Sequence, residues 1–268
     1  MHGLLLLTAE GLAATDAGAR GAVWGQAEAA KATFWVVGDS TVSPFNDSYY
    51  LPREGYGEEL ENYFNANVYN LAVSGASSKD FTGMTNYTTL LKGSDTVPAL
   101  GDAAGDKFLL IGFGHNDEKT EPARYTNPNG DYKTEGSFAN SLYVNYIQPA
   151  LERGVIPVVC TPIARLTEAN NKASYDGASG HKTTTVTIGD AVYEGGDYAQ
   201  AIRDMCSELH LICVDLTSAT INENIAMGKK AHQMILDALD ALTAEDENAA
   251  RRVIAADDEV DYDFNAIK

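Results

Sequence analysis

Five runs of consecutive apolar residues, separated by amphipathic stretches, restrict the possible folds of this chain more than any other feature. They are "ATFWVVG" from Ala32, "ANVYNLAVSG" from Ala66, "KFLLIGFG" from Lys107, "VIPVVCTP" from Val155 and "LHLICVDL" from Leu209. An antiparallel strand with one wet face alternates apolar and polar residues. A strand covered on both faces does not, and such strands belong to parallel sheets flanked by helices. The intervening segments "GYGEELENYFNA", "SFANSLYVNYIQPALERG" and "DYAQAIRDMCSELH" carry helical spacing. In the second, Phe138, Leu142, Tyr146 and Leu151 mark an inward face and Gly154 a stop. Strand and helix in alternation predict an α/β fold: a doubly wound, mostly parallel five-stranded sheet between two helical layers.

The 268 residues hold enough apolar material for one core, so a single main domain is expected over residues 32–254. Residues 1–31, with "LLLL" and an Ala-rich run, read as a loosely ordered leader. The alternative is a degraded signal peptide, whose apolar core would be shorter than usual. Export, to a secreted or periplasmic location, is the expected destination but is not fixed by this segment. A long helix is expected from about Thr217 to Ile254, and residues 255–268 read as a solvated acidic tail.

Lys and Arg number 19 against 38 Asp and Glu, a formal charge of -19. Such a surface repels phosphate backbones and anionic membranes, so nucleic acid is excluded as an expected partner. No apolar run is long enough for a membrane span. The cysteines Cys160, Cys206 and Cys213 are too few for a disulfide framework and lack metal-ligand company. The spacing allows one bridge, Cys206 to Cys213, but free thiols are the expectation.

Two long loops, "DEKTEPARYTNPNGDYKTEG" and "ARLTEANNKASYDGASGHKTTTVTIGDAVYEGG", follow the third and fourth strands. Both leave strand C-terminal ends, where open α/β sheets place ligands. The first three strand ends carry the polar groups: Asp39-Ser40-Thr41, then Asn70 with Gly75 and Ser77-Ser78, then His115-Asn116-Asp117. Singly, Ser40 reads as a helix cap, Gly75 as a turn glycine and Asn116 as a loop former. Together they match the needs of acyl transfer: a hydroxyl nucleophile, plus N–H donors from Ser40, Gly75 and the Asn116 amide for an oxyanion. Asp39 is expected to shape the turn.

"VVGDSTV", "GYGEEL", "NLAVSGASSKDF" and "GFGHND", in this order, resemble the SGNH (GDSL-type) hydrolases, with Ser40, Gly75 and Asn116 as the S, G and N. The wording is similar to the rhamnogalacturonan acetylesterase branch, carbohydrate esterase family 12, and spans about residues 33 to 240. The resemblance implies a flavodoxin-like αβα sandwich, no metal or cofactor, and deacetylation of pectic or related polysaccharides by an acyl-enzyme. It makes His115 structural. It also implies an Asp-x-x-His block supplying the general base, and none is present here. The histidines are His2, His115, His181, His210 and His232, and none has Asp three residues before it.

His210 is expected in or beside a buried strand and His232 on a helix. His181, on the loop after the fourth strand, is the one internal histidine positioned to substitute for the base. Truncation just before the missing block is the preferred expectation, and weak activity follows from it. Other readings remain: a lipid, thioester or aryl esterase of the same fold, or a catalytically silent carbohydrate binder. Tyr125, Tyr132, Tyr175 and Tyr193 on the loops are candidates for stacking on sugar rings.

Overall fold

The computed structural model describes residues 31–45, 54–166, 178–179, 181–243 and 247–267. The leader reading of residues 1–31 falls, but for residue 31, outside them, as does Tyr175.

The five apolar runs form one parallel sheet in the order β2-β1-β3-β4-β9, from β1 (Ala32–Gly38), β2 (Ala66–Asn70), β3 (Lys107–Gly112), β4 (Ile156–Cys160) and β9 (Ile212–Val214). Strand pleating explains why these runs are apolar throughout. Trp35 and Val37 of β1 face one layer and Phe34 and Val36 the other, and all four are buried. The first layer packs Leu109, Ile111 and Val159 against helical side chains such as Phe138, Leu142, Tyr146 and Ile202. The second packs Leu110, Val158 and Cys160 against Leu60 and Leu216.

Helices α1 (Leu60–Tyr63), α2 (Thr85–Lys92), α3 (Phe138–Leu142), α4 (Gln148–Glu152) and α5 (Tyr198–Leu209) connect these strands. Ser137 caps α3 by accepting from the Asn140 N–H at 2.9 Å, and Asp197 caps α5 by accepting from Gln200. A π turn, Tyr143–Ile147, joins α3 to α4. With that wide turn between them, Ala150 rather than Leu151 continues the inward row, and Leu151 is 50% exposed. Gly154, at φ 66°, ends the segment as expected.

Three further expectations are corrected. His210 does not enter a strand: it is exposed and takes the left-handed cap position of α5, at φ 53° and ψ 42°. The helix expected to run to Ile254 is two helices, α6 (Leu216–Thr243) and α7 (Glu247–Ile267). The acidic stretch read as a loose tail is therefore helical through residue 267. The second long loop contains two short antiparallel pairs, β5 (Arg165–Leu166) with β6 (Ala178–Ser179), and β7 (Val186–Ile188) with β8 (Ala191–Tyr193). Cys160, Cys206 and Cys213 are all free thiols, with Cys206 and Cys213 in side-chain contact. Among the described residues no helix is long and apolar enough to cross a membrane.

Candidate active site

The order β2-β1-β3 places the strand that precedes Ser40 between the two that precede Gly75 and Asn116. The three segments are tied at their C-terminal ends. Gly38 pairs with Gly112 across the β1–β3 register, the Asp39 N–H donates to Gly112 O at 3.1 Å, and the Val73 N–H donates to Gly38 O at 3.0 Å. A Cβ on Gly38 would overlap the Gly112 carbonyl and Val42, so the close approach needs glycine.

Asp39 turns the chain. Its Oδ1 accepts from the Thr41 N–H at 2.9 Å and the Thr41 hydroxyl at 2.8 Å, while its carbonyl accepts from Val42 and Ser43. This aspartate turn converts strand to helical turn within one residue and leaves Ser40 half-buried at the bend. No hydrogen bond to the Ser40 hydroxyl is present among the described residues. Burial raises the Asp39 pKa, opposed by the two Thr41 bonds. Asn70 braces the same turn: its Nδ2 donates to Val42 O at 2.8 Å.

Gly75 lies at φ 85° in a turn closed by the Ala76 N–H on Val73 O at 3.1 Å. That is the third position of a type II turn, which favours glycine. Asn116 is buried and donates from Nδ2 to Ala76 O at 3.0 Å, which uses one of its two amide hydrogens. Gly75 and Asn116 are thus joined through Ala76. They are also joined through Arg124, whose Nη1 donates to Gly75 O at 3.3 Å and Asn116 Oδ1 at 3.5 Å. Glu121 holds the other end of that guanidinium. Arg124 was not singled out from sequence, although it lies in the first long loop.

Below this arrangement is a buried polar network. Asp117 accepts from the Ser78 N–H and hydroxyl and from Thr126 Oγ1. Burial lifts its pKa to about 7 against those bonds. The Tyr146 hydroxyl donates to Ser78 O at 2.6 Å and the Tyr198 hydroxyl to Thr126 O at 2.6 Å. These bonds fix the second and third segments to the helical layer.

His181 is fully buried at φ 57°, its ring 4.5 Å from that of His115. Its Nε2 lies 2.6 Å from Ile163 O and its Nδ1 3.4 Å from Glu118 Oε2. His115 Nε2 approaches the same carbonyl at 3.0 Å. Both nitrogens of His181 face protein oxygens, which makes it a fixture of the loop anchor in this arrangement. Of the tyrosines, Tyr125 is buried with its ring 5.0 Å from the half-buried Tyr193, and Tyr132 packs on Tyr143 under Lys133.

A three-layer α/β fold with a hydroxyl at the bend after its first strand, flanked in the sheet by the strands that lead to a turn glycine and a buried amide, defines the class as an acylhydrolase of the SGNH type. The sequence matches the model of the GDSL-like Lipase/Acylhydrolase family over residues 35–246, and this chain belongs to that family. Residues 225–268 also match the PhoU domain model. The chain is 32% identical over 190 residues to the probable rhamnogalacturonan acetylesterase YesY of Bacillus subtilis (strain 168), covering 70% of this chain and 71% of that protein. Among solved structures it is similar to the Bacillus subtilis protein YXIM_BACsu, with TM-score 0.48, 18% identity and coverage of 74% of this chain and 47% of that one. A second is TesA, with TM-score 0.34, 14% identity and coverage of 68% and 76%. The chain spans about half the length of the first of these structures.

Proposed function

We propose that this acylhydrolase removes acetyl groups from a carbohydrate of the pectin or rhamnogalacturonan type through an acyl-enzyme on Ser40. The observation that carries this reading is the half-buried Ser40 hydroxyl, without a hydrogen bond among the described residues, at the bend after β1 and flanked by the segments of Gly75 and Asn116. The 32% identity to a probable rhamnogalacturonan acetylesterase supports the substrate class.

In this mechanism Ser40 Oγ forms a bond to the acetyl carbon as its proton passes to solvent water. The oxyanion is met by the N–H groups of Ser40 and Gly75 and by the second amide hydrogen of Asn116. Collapse breaks the ester C–O bond and expels the sugar oxygen, which takes a proton from water; a second water then hydrolyses the acetyl-serine, releasing acetate and restoring the Ser40 hydroxyl. The sequence contains no Asp-x-x-His block, and His181 is engaged on both nitrogens. A serine hydrolase working without its base retains about 10³–10⁴ of acceleration over water. Slow turnover is therefore expected.

The experiment is hydrolysis of a small acetyl ester by the chain and by Ser40→Ala, with acetylated sugars compared against medium-chain acyl esters. Loss of turnover in the variant and preference for acetylated sugars support the reading. Equal rates in both proteins overturn it, and then binding of acetylated oligosaccharide without turnover favours the silent-binder alternative. The engagement of His181 is the observation that favours that second reading.

A further inference from the structure

We propose that the α6–α7 helical hairpin is a self-association surface through which two copies of this chain pair antiparallel. The two helices pack along each other, and a groove between them is lined by Met234, Ile235, Ala238, Val253, Ile254 and Val260, with Asp257 among them. Ile235 is 60% exposed, Leu236 42% and Ile254 69%, so the hairpin presents an apolar face to solvent as well as to itself. Single exposed apolar residues are ordinary; a grouped set flanked by charge marks a binding surface.

The charges on that face name the occupant. Arg251, Ile254, Ala255 and Asp258 are all exposed and follow helical spacing on α7, so they form one stripe with a cation at one end and a carboxylate at the other. The sequence is self-complementary when reversed. A two-fold axis between Ile254 and Ala255 brings Arg251 opposite the second copy's Asp258 and Ile254 opposite its Ala255. The two Ile254–Ala255 pairs then close the centre of the contact. A contact of this kind is isologous and closes at two copies. Arg251 already pairs with Glu247 at 2.6 Å on its own helix, which extends the side chain rather than occupying its whole fork. A partner bearing uniform charge would be repelled at one end of the stripe, whereas a second copy matches both ends.

Sedimentation velocity on the full chain over a range of concentrations tests this, independently of any ester chemistry. The expected result is a concentration-dependent species of twice the chain mass. Ile254→Asp, Arg251→Asp and Asp258→Arg should each return it to the monomer, with helix content unchanged by circular dichroism. The double variant Arg251→Asp/Asp258→Arg should restore the dimer, because each reversed charge again faces its opposite across the axis. A wild-type chain that stays monomeric at the highest concentration overturns the proposal. So does a dimer that survives the single variants, or one that the double variant fails to restore.

Discussion

Arg124 reaches from the first long loop to the Gly75 carbonyl, 3.3 Å from its Nη1, and the same nitrogen lies 3.5 Å from Asn116 Oδ1. One guanidinium group thereby steadies a glycine with open space around its missing Cβ and orients the amide beside it. Replacing Arg124 by Ala is expected to lower acetyl-ester turnover roughly tenfold, less than the ~10²–10³ that losing an oxyanion donor outright costs. The effect should fall on kcat more than on KM. Steady-state kinetics of wild type and variant on one acetyl ester reads it directly.

Gly75→Ala isolates backbone strain from crowding, since nothing lies within 4 Å of the added Cβ while φ is 85°. A side chain in that conformation costs about 1–2 kcal/mol. Urea unfolding should show a loss of that size, with Gly75→Asn losing less because asparagine tolerates the left-handed region.

Asp117 gives the fold a pH dependence of definite sign. Its folded pKa of about 7 lies above the ordinary 3.8, chiefly through burial. The folded state therefore holds a proton that the unfolded chain releases, and the stabilisation is complete below about pH 4 and lost as pH rises through 7. Asp39 is shifted the same way, again by burial. Denaturant midpoints measured from pH 4 to 8 should decline less steeply in Asp117→Asn than in wild type.

Because His181 is fully buried and held by Ile163 O and Glu118, His181→Ala should cost stability by removing one of the two imidazole contacts to Ile163 O and leaving a void beside His115, roughly 1–3 kcal/mol. Added imidazole should stimulate acetyl-ester turnover in the wild-type chain as much as in the variant. Stimulation confined to His181→Ala would instead identify His181 as the base.

Much of this was legible in the sequence, for physical reasons. The apolar runs at Ala32 and Lys107 read as buried strands because both faces of the sheet are covered. Asp39, Gly75 and Asn116 stood out because strand-end glycines, carboxylates and amides follow short-range rules of turn geometry. What escaped notice depends on distance through space. Arg124 meets Gly75 across 49 residues of chain and His181 meets His115 across a loop, and no local spacing encodes either contact. Leu151 was misplaced because a π turn, which leaves no clear composition signal, alters the helical phase before it. His210 looked like part of a strand because its apolar neighbours outweighed the helix cap it supplies.

The place of the first strand between its two neighbours also bears on how the molecule matures. A nascent chain that has emerged as far as Ser40 owns the hydroxyl but neither flanking strand, and the second neighbour arrives only with Lys107–Gly112. Long-range pairing of this sort is slow to form. Reactivity at Ser40 is thus a late event, and its appearance during refolding would time the closure of the sheet rather than the collapse that precedes it.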